Sequence, residues 1–481
     1  MDIPEVGRAR DAVLADLMAH KRGDFDTRGG GALAFVFHPD DDAAAVAERA
    51  YQAFLWDNAL DPTVVRSALA LETEIVAMAA HHLGGDGDVT GNFTSGGTES
   101  VLLAVKTARD WARAERGIER PQMVLPATAH PCFFKAAHYF DVEAVVTPVD
   151  PRTCRADVAA MAAAIGHRTA LVVASAPGYA HGAVDPIPDI AALARDRGLL
   201  LHVDACIGGF LLPFFRELGR DVTPFDFSVP GVTSISMDFH KYALCPKGAS
   251  VVLYRTPELR RYQIFTHSAW PGYAVINPTI LSSKSCGPMA ATWAMLHYLG
   301  RAGYRAIARR LAAMADRFAA GIGAIDGLTI VGRPEMTLFA VASKTHSVFR
   351  LCDEMKRRGW LMHPQLSTDT LPATFHVNLT PAVESRLDAW LADLADACAA
   401  APDAGDDALS AVRAALSAVD FAKLDDRGIE QLLAMAGLGG GRAPSDRLGQ
   451  VWELLDPLPS DVRNRVLTLY YNQLNRYRPP A

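Results

Sequence analysis

Two lysines six residues apart, Lys241 and Lys247, stand in the stretch Ser234-Ile-Ser-Met-Asp-Phe-His-Lys-Tyr-Ala-Leu-Cys-Pro-Lys-Gly248. The stretch starts as a β-branched run, turns polar at His240-Lys241, breaks at Pro246 and leads into a second apolar strand, Ser250 to Tyr254. An ammonium beside buried-type strands is costly unless it is paired or reacts. One chemistry uses such a lysine directly: a Schiff base to pyridoxal 5'-phosphate (PLP), which calls for an amine of lowered pKa at a fixed point. The alternative is a structural lysine at a strand end, and this stretch alone does not separate the two.

Two upstream stretches do. Leu199-Leu-Leu-His-Val-Asp-Ala-Cys206 is an apolar strand ending in Asp204, thirty-seven residues before Lys241. Open α/β sheets place ligands at the carboxyl ends of their strands. An anion there favours the protonated pyridine nitrogen that makes PLP an electron sink. Farther upstream, Gly91-Asn-Phe-Thr-Ser-Gly-Gly-Thr-Glu-Ser100 runs into a helical pattern from Val101 to Arg116. Glycines let the backbone approach a ligand, and a helix start offers N–H groups and a positive dipole end to a phosphate. As an ordinary helix start the same segment would use Ser95 as its cap, which is compatible with a phosphate site.

These residues also carry a family resemblance. The set Thr94–Ser100 (TSGGTES), Thr128–His130 (TAH), His202–Cys206 (HVDAC), His240–Tyr242 (HKY) and Pro246–Gly248 (PKG) resembles the sphingosine-1-phosphate lyases. These belong to the group II decarboxylase branch of the fold-type I PLP enzymes, and the likeness runs from about Gly30 to about Ala400. It implies Lys241 as the Schiff-base lysine, Asp204 beside the pyridine nitrogen and His130 against the ring. It also implies Gly97, Thr98, His240 and Ser283 at the cofactor phosphate. Lys247 matches a lysine that the lyases carry and related amino-acid decarboxylases typically lack. Its alternative is a surface lysine in a Pro-Lys-Gly turn. Tyr179 and His181 lie just past a predicted strand, where either donates a proton or packs.

The substrate-facing residues depart from the family pattern. Phe37 stands where the lyases supply a tyrosine from the neighbouring subunit, and a phenyl ring neither donates a hydrogen bond nor transfers a proton. Val275 replaces another family tyrosine, and Tyr273 replaces a glycine. Ser282-Ser283-Lys284 stands for a family Gly-Ser-Arg, and a lysine lacks the bidentate fork of arginine. The segment Asn58-Ala-Leu-Asp-Pro62 lacks the family histidine. Phe37 and Lys284 are therefore the candidate substrate-binding residues.

At 481 residues, half of them hydrophobic, the chain has material for a large core and more than one domain. A net charge of −7 without a Lys/Arg-rich run argues against nucleic acid as a partner. The seven cysteines are scattered without metal-ligand spacing, so no metal is expected, and they read as reduced thiols of a cytoplasmic protein. The charged stretch Met1 to Lys21 is no secretory signal, and no apolar run is long enough to span a membrane. Eukaryotic members of the resembling family carry a membrane anchor; this chain is expected to be soluble.

The elements that must hold the site are legible as alternation. A polar helix with Val13, Leu14, Leu17 and Met18 on one side precedes helices ending near Trp56 and spanning Pro62 to Leu83. Glu72 and Glu74 on the last read as solvated or paired surface groups. Strands are predicted at Met123–Leu125, Ala144–Val146, Ala170–Ala174, Leu199–Val203, Thr233–Ser236 and Ser250–Tyr254. Helices at Thr98–Arg116, Arg155–Ile165 and Asp189–Arg197 separate them, which argues for a mostly parallel sheet covered on both faces. A long helix, Ala290 to Ile322, leads to strands at Leu328–Val331, Thr337–Val341 and His376–Leu379 and a helix from Ser385 to Ala400. A linker-like run from Ala401 and a mainly helical tail with a loop at Gly437–Pro444 follow.

The reading is an α/β chain of fold-type I, with a seven-stranded-type sheet and a smaller C-terminal α+β domain. The expected segments are an arm (1–60) that contributes to a dimer, a PLP domain (61–300), a small domain (301–400) and a helical tail (401–481). The expected activity is retro-aldol cleavage of a phosphorylated 2-amino-3-hydroxy long-chain base, by a homodimer with shared active sites. The alternatives are an amino-acid decarboxylase and a PLP-binding protein with little lyase activity.

Overall fold

The computed structural model describes residues 3–61, 63–400, 427–428 and 448–474. The chain forms two compact units: Leu33–Ala342 with His376–Leu391, and Met1–Ala32 with Ser343–Phe375 and Ala392–Ala481.

The larger unit is built on a seven-stranded sheet. Its strands are β1 (Thr90–Thr94), β2 (Gln122–Pro126), β3 (Glu143–Thr147), β4 (Thr169–Ser175), β5 (Leu200–Asp204), β6 (Ser234–Asp238) and β7 (Ser250–Tyr254). They lie in the order β1-β7-β6-β5-β4-β2-β3. β2 pairs in parallel with β3 and β4, and β4, β5 and β6 continue in parallel. β7 alone runs against its neighbours β6 and β1. Every residue of β4, β5, β6 and β7 is buried, as expected of strands covered on both faces.

β1 was not anticipated, because Gly91 and Asn92 are poor strand formers. Its conformation is imposed by β7: a Cβ on Gly91 would lie 2.1 Å from the Val252 carbonyl oxygen, so only glycine permits this pairing. The helix after it, Gly97–Arg116, buries Val101, Leu102 and Val105 against Met123, Leu125, Leu171 and Val173. Each such side chain contributes roughly 1.5–3 kcal/mol of hydrophobic stabilisation. Because β1, β2, β4, β5 and β6 share one direction, their carboxyl ends open onto one edge of the sheet. The segments leaving that edge carry Gly97, His130, Tyr179, Asp204 and Lys241.

The long helix occupies Gly287–Gly323 and is interrupted at Gly300, whose φ of 54° and ψ of 176° are not helical. Strands Leu328–Val331, Leu338–Ser343 and Thr374–Asn378 run side by side in that order. Phe318 packs against Phe339 and Trp390, with ring centres 4.6 and 5.4 Å apart.

In the smaller unit, helix Val348–Arg357 meets helix Leu448–Leu455. Arg350 Nε donates to Glu453 Oε2 at 3.0 Å, and the Gly449 N–H donates to Asp353 Oδ1 at 2.8 Å. Leu455, Val462 and Val466 form its small core. The N-terminal helix, Arg10–Ala19, buries no residue, so Val13, Leu14, Leu17 and Met18 are exposed. The linker expected from Ala401 and the loop expected at Gly437–Pro444 lie outside the described residues.

Candidate active site

A cavity of about 350 Å³ sits at the carboxyl edge of the sheet. Gly96, Gly97 and Thr98 form one wall, His130 and Tyr179 another, and Asp204, Asp238, His240 and Lys241 the floor. Six of the residues singled out from sequence for the cofactor thus share one space, drawn from four segments of the chain.

The glycine wall is the start of helix Gly97–Arg116. A Cβ on Gly97 would meet Cys206 Sγ at 2.7 Å and Asp238 Oδ1 at 2.9 Å, so the close approach requires glycine. Ser95 is not the cap expected of it. Gly96 holds the N-cap position without a side-chain bond. The Ser95 N–H instead donates to Glu99 Oε2 at 2.6 Å. Glu99 Oε1 accepts from the Ile280 N–H at 2.8 Å, tying this wall to the 278–284 loop.

Lys241 is fixed by a tight turn. The Phe239 and His240 N–H groups both donate to the Ala249 carbonyl, at 3.0 and 3.1 Å, and the Leu244 N–H donates to the Lys241 carbonyl at 3.0 Å. Tyr242 anchors the turn through its hydroxyl, which bonds to Thr337, Asn378 and, at 3.1 Å, the Leu379 carbonyl. Lys241 Nζ lies 2.9 Å from Asp238 Oδ2. The amine was expected to have a lowered pKa, and here the structure differs. Burial works against its charge, but the Asp238 carboxylate outweighs burial and holds Lys241 above the usual lysine range. Asp238, three residues before Lys241, is the residue that the sequence reading passed over.

His240 accepts the Ala249 N–H at Nδ1 (3.2 Å), so its proton is on Nε2, which faces Asp238 Oδ2 at 3.5 Å. Burial lowers its pKa to about 4, so the ring is neutral. His130 accepts the Cys132 N–H at Nδ1 (3.2 Å), and desolvation lowers its pKa. Asp204 Oδ1 accepts from the Cys206 N–H at 3.1 Å and from the Ser236 hydroxyl at 3.3 Å.

Tyr179 reaches the cavity and stacks on His376, with ring centres 4.4 Å apart. His376 was not singled out, because a histidine in an apolar strand gives no local signal. His181, expected beside Tyr179 as a catalytic candidate, does not line the cavity. It is buried, its pKa falls to about 4 by burial, and its Nδ1 has no hydrogen-bond partner among the described residues.

Lys247 and Phe37, expected at the substrate, do not line the cavity; they face each other, and Lys247 is exposed. Lys247 Nζ donates to the His240 carbonyl at 3.1 Å and lies 5.1 Å from the Phe37 ring centre. Desolvation, then repulsion from Lys241, lowers Lys247 to about 8. Ser283 and Lys284 are not brought to the cavity by their own chain. Ser283 is exposed. Lys284, expected at the substrate, turns inward: its Nζ lies 3.2 Å from Glu72 Oε1 and 3.4 Å from the Phe93 carbonyl. Of the two alternatives expected for Glu72, solvated or paired, it is paired; it also accepts from Asn92 Nδ2 at 3.1 Å and the Phe93 N–H at 2.9 Å.

Residues 67–344 match the pyridoxal-dependent decarboxylase conserved domain. The chain is 38% identical to the sphingosine-1-phosphate lyase of Oryza sativa over 402 residues, covering 82% of this chain and 74% of that one. A solved sphingosine-1-phosphate lyase from Burkholderia pseudomallei superposes with a TM-score of 0.80 at 35% identity, covering 87% of this chain and 95% of that one. This chain belongs to the sphingosine-1-phosphate lyase family. It is a PLP-dependent lyase of the fold-type I class, and its cofactor is PLP. The chain spans 65% of the Arabidopsis thaliana lyase, to which it is 40% identical. A glutamate decarboxylase from Lactobacillus brevis shares the fold with a TM-score of 0.71 at 20% identity. Residues 410–473 match a C-terminal putative HTH domain of pyridoxal-dependent enzymes. Among the described residues, no helix is long and apolar enough to cross a membrane.

The residues present fit this cofactor. A helix start whose Gly97 excludes a Cβ presents N–H groups suited to a phosphate, with a carboxylate at a strand end and a primary amine in the same cavity.

Proposed function

We propose that the protein cleaves the carbon–carbon bond of a phosphorylated 2-amino-3-hydroxy long-chain base, releasing an aldehyde and phosphoethanolamine. The observation that carries this reading is Lys247, an exposed amine whose Nζ donates at 3.1 Å to the carbonyl of the cavity residue His240 and whose pKa is brought down to about 8. A lysine of that pKa is partly neutral near physiological pH and accepts a proton.

When bound, PLP supplies an electron sink for the bond at the amine-bearing carbon that stands perpendicular to its ring. The N–H groups at Gly97 and Thr98 would bind its phosphate, with His240 alongside. Asp204 would face its pyridine nitrogen, His130 would supply an aromatic wall and Lys241 the amine to hold it covalently. Lys247 would take the proton of the β-hydroxyl as the carbon–carbon bond breaks and the oxygen leaves as an aldehyde, and would return that proton to the amine-bearing carbon, which leaves as phosphoethanolamine. Tyr179, whose pKa burial raises, keeps its hydroxyl proton and donates a hydrogen bond into the cavity. His181, buried outside the cavity, packs.

A second reading is an amino-acid decarboxylase, and Phe37 is the observation that favours it. Its ring, 5.1 Å from Lys247 Nζ, offers no acidic hydrogen, and loss of carbon dioxide needs none. Mass spectrometry of the products from phosphorylated β-hydroxy amines and from amino acids separates the two. Aldehyde supports the lyase, carbon dioxide the decarboxylase, and spectral binding of amines without product a PLP-binding protein of little activity.

We also place the protein in the cytoplasm as a homodimer with shared sites, in which residues 1–60 contribute to the dimer, residues 61–300 bind PLP and Ser283 serves the partner's cofactor. Supporting the dimer, Trp56 is 92% exposed and Leu60, Ile280 and Leu281 are exposed around the Asn58–Ser285 bridge, an apolar surface suited to a second copy. Supporting the cytoplasm, all seven cysteines are buried and unpaired.

A further inference from the structure

β5 and β6 bring four polar side chains into register on one face of the sheet: His202 opposite Ser234, and Asp204 opposite Ser236. All four are buried. Burial lowers His202 to about 4, so its ring carries a single proton. Burial likewise keeps Cys206 a thiol.

The proton directions follow from the chemistry of the last member. Asp204 Oδ1 already accepts the Cys206 N–H at 3.1 Å, and the Ser236 hydroxyl donates to the same oxygen at 3.3 Å. Ser236 Oγ is then an acceptor for its other two neighbours, Cys206 Sγ at 3.2 Å and His202 Nε2 at 3.2 Å. His202 therefore carries its proton on Nε2, and Nδ1 accepts from the Ser234 hydroxyl at 2.9 Å. Every proton in the chain Ser234–His202–Ser236–Asp204 points toward the carboxylate. The Phe133 ring, edge-on to His202 at 6.0 Å between centres, holds the imidazole in place.

We infer that Ser236 and His202 are positioning residues that keep Asp204 ionised opposite the cofactor's pyridine nitrogen. This rests on the assignment of Asp204 to that nitrogen. The need is physical. Burial penalises charge, so an isolated buried pair of carboxyl and pyridine favours the uncharged arrangement, with the proton on the carboxyl. A carboxyl in that state leaves the nitrogen unprotonated and the electron sink weak. Donors aligned on the carboxylate stabilise its charged form and return the proton to the nitrogen. Packing alone asks less of the site: an apolar ring would fill the place of His202.

The test uses full-length protein loaded with PLP that is isotopically labelled at the pyridine nitrogen, whose magnetic resonance shift reports its protonation without turnover. Ser236→Ala is expected to move the proton balance about tenfold or more toward the carboxyl, the loss of one hydrogen bond to a charged acceptor. His202→Phe keeps the ring volume and is expected to move it in the same direction by less. Ser236→Thr retains the hydroxyl and the wild-type shift. Wild-type shifts in both Ser236→Ala and His202→Phe, with a changed shift in Asp204→Asn, overturn the relay alone. An unchanged shift in Asp204→Asn overturns the assignment of Asp204, and the relay with it.

Discussion

Lys247 Nζ lies 5.1 Å from the centre of the Phe37 ring, and Phe37 in turn meets Tyr242 edge-on at 5.1 Å. One aromatic ring thus joins the two lysines of the motif, because Tyr242 follows Lys241 directly in sequence. The ring attracts an ammonium by about 0.5–2 kcal/mol. It supplies no proton, so any proton transfer at this point falls to Lys247.

Lys247→Ala is expected to lower aldehyde release at least about a hundredfold, the typical contribution of a positioned base, with the cofactor absorbance retained. Phe37→Tyr is expected to raise it. Carbon dioxide release from an amino acid, unchanged by both substitutions, would assign the decarboxylase instead.

The pH profile follows from the sign of the Lys247 shift. Its pKa lies below the ordinary lysine value, near 8, and only the neutral amine accepts a proton. The rate is expected to rise about tenfold per pH unit below that value and to level above it. Lys247→Arg keeps its charge throughout and is expected to abolish the rise.

Borohydride reduction of the loaded protein is expected to fix the cofactor on the peptide containing Lys241; label on another lysine would remove the basis of the assignment. In the cofactor-free protein, Asp238→Asn leaves the Lys241 ammonium without its carboxylate. A loss of roughly 3 kcal/mol in denaturant unfolding is expected. In the loaded protein the loss is expected to shrink, because Lys241 is then bonded to the cofactor.

Lys284→Met separates a structural from a substrate-binding role. The pair with Glu72 is shielded, at 11% and 17% side-chain exposure. A loss of about 2 kcal/mol is expected, less than for a fully buried pair because Glu72 keeps two donors from Asn92 and Phe93. KM is expected to stay unchanged; a rise for phosphorylated substrates would restore Lys284 to the substrate site.

Solution scattering of the wild type is expected to show a dimer, and Trp56→Glu to shift it toward monomer. A wild-type monomer that holds PLP tightly would count against the shared-site arrangement.

Lys241, Asp204 and the glycine run Gly96-Gly97 were legible because each sits in a local pattern: a polar residue ending an apolar strand, or glycines opening a helix. The strands themselves were legible for the same reason, since a strand buried on both faces reads as a continuous apolar run. Backbone preference and hydrophobic pattern are properties of neighbouring residues, and the sequence by itself determined the α/β class, the cofactor chemistry and the order of its parts.

What joins distant segments was decided only by tertiary structure. Lys284 meets Glu72 across 212 residues, and Tyr242 meets Asn378 across 136. Asp238 became the partner of Lys241 because the turn after β6 folds the amine back over the strand end. His181 was removed from the cavity by burial, although it stands two residues from Tyr179 in sequence. β1 formed against its own propensity because β7 offered an edge that only Gly91 could approach. For Lys284, Tyr242 and Gly91 the deciding energy is an ion pair, a hydrogen bond or a close contact between residues far apart in the chain. Such an interaction leaves no mark on the residues' immediate neighbours, so it exists only once the sheet has brought them together.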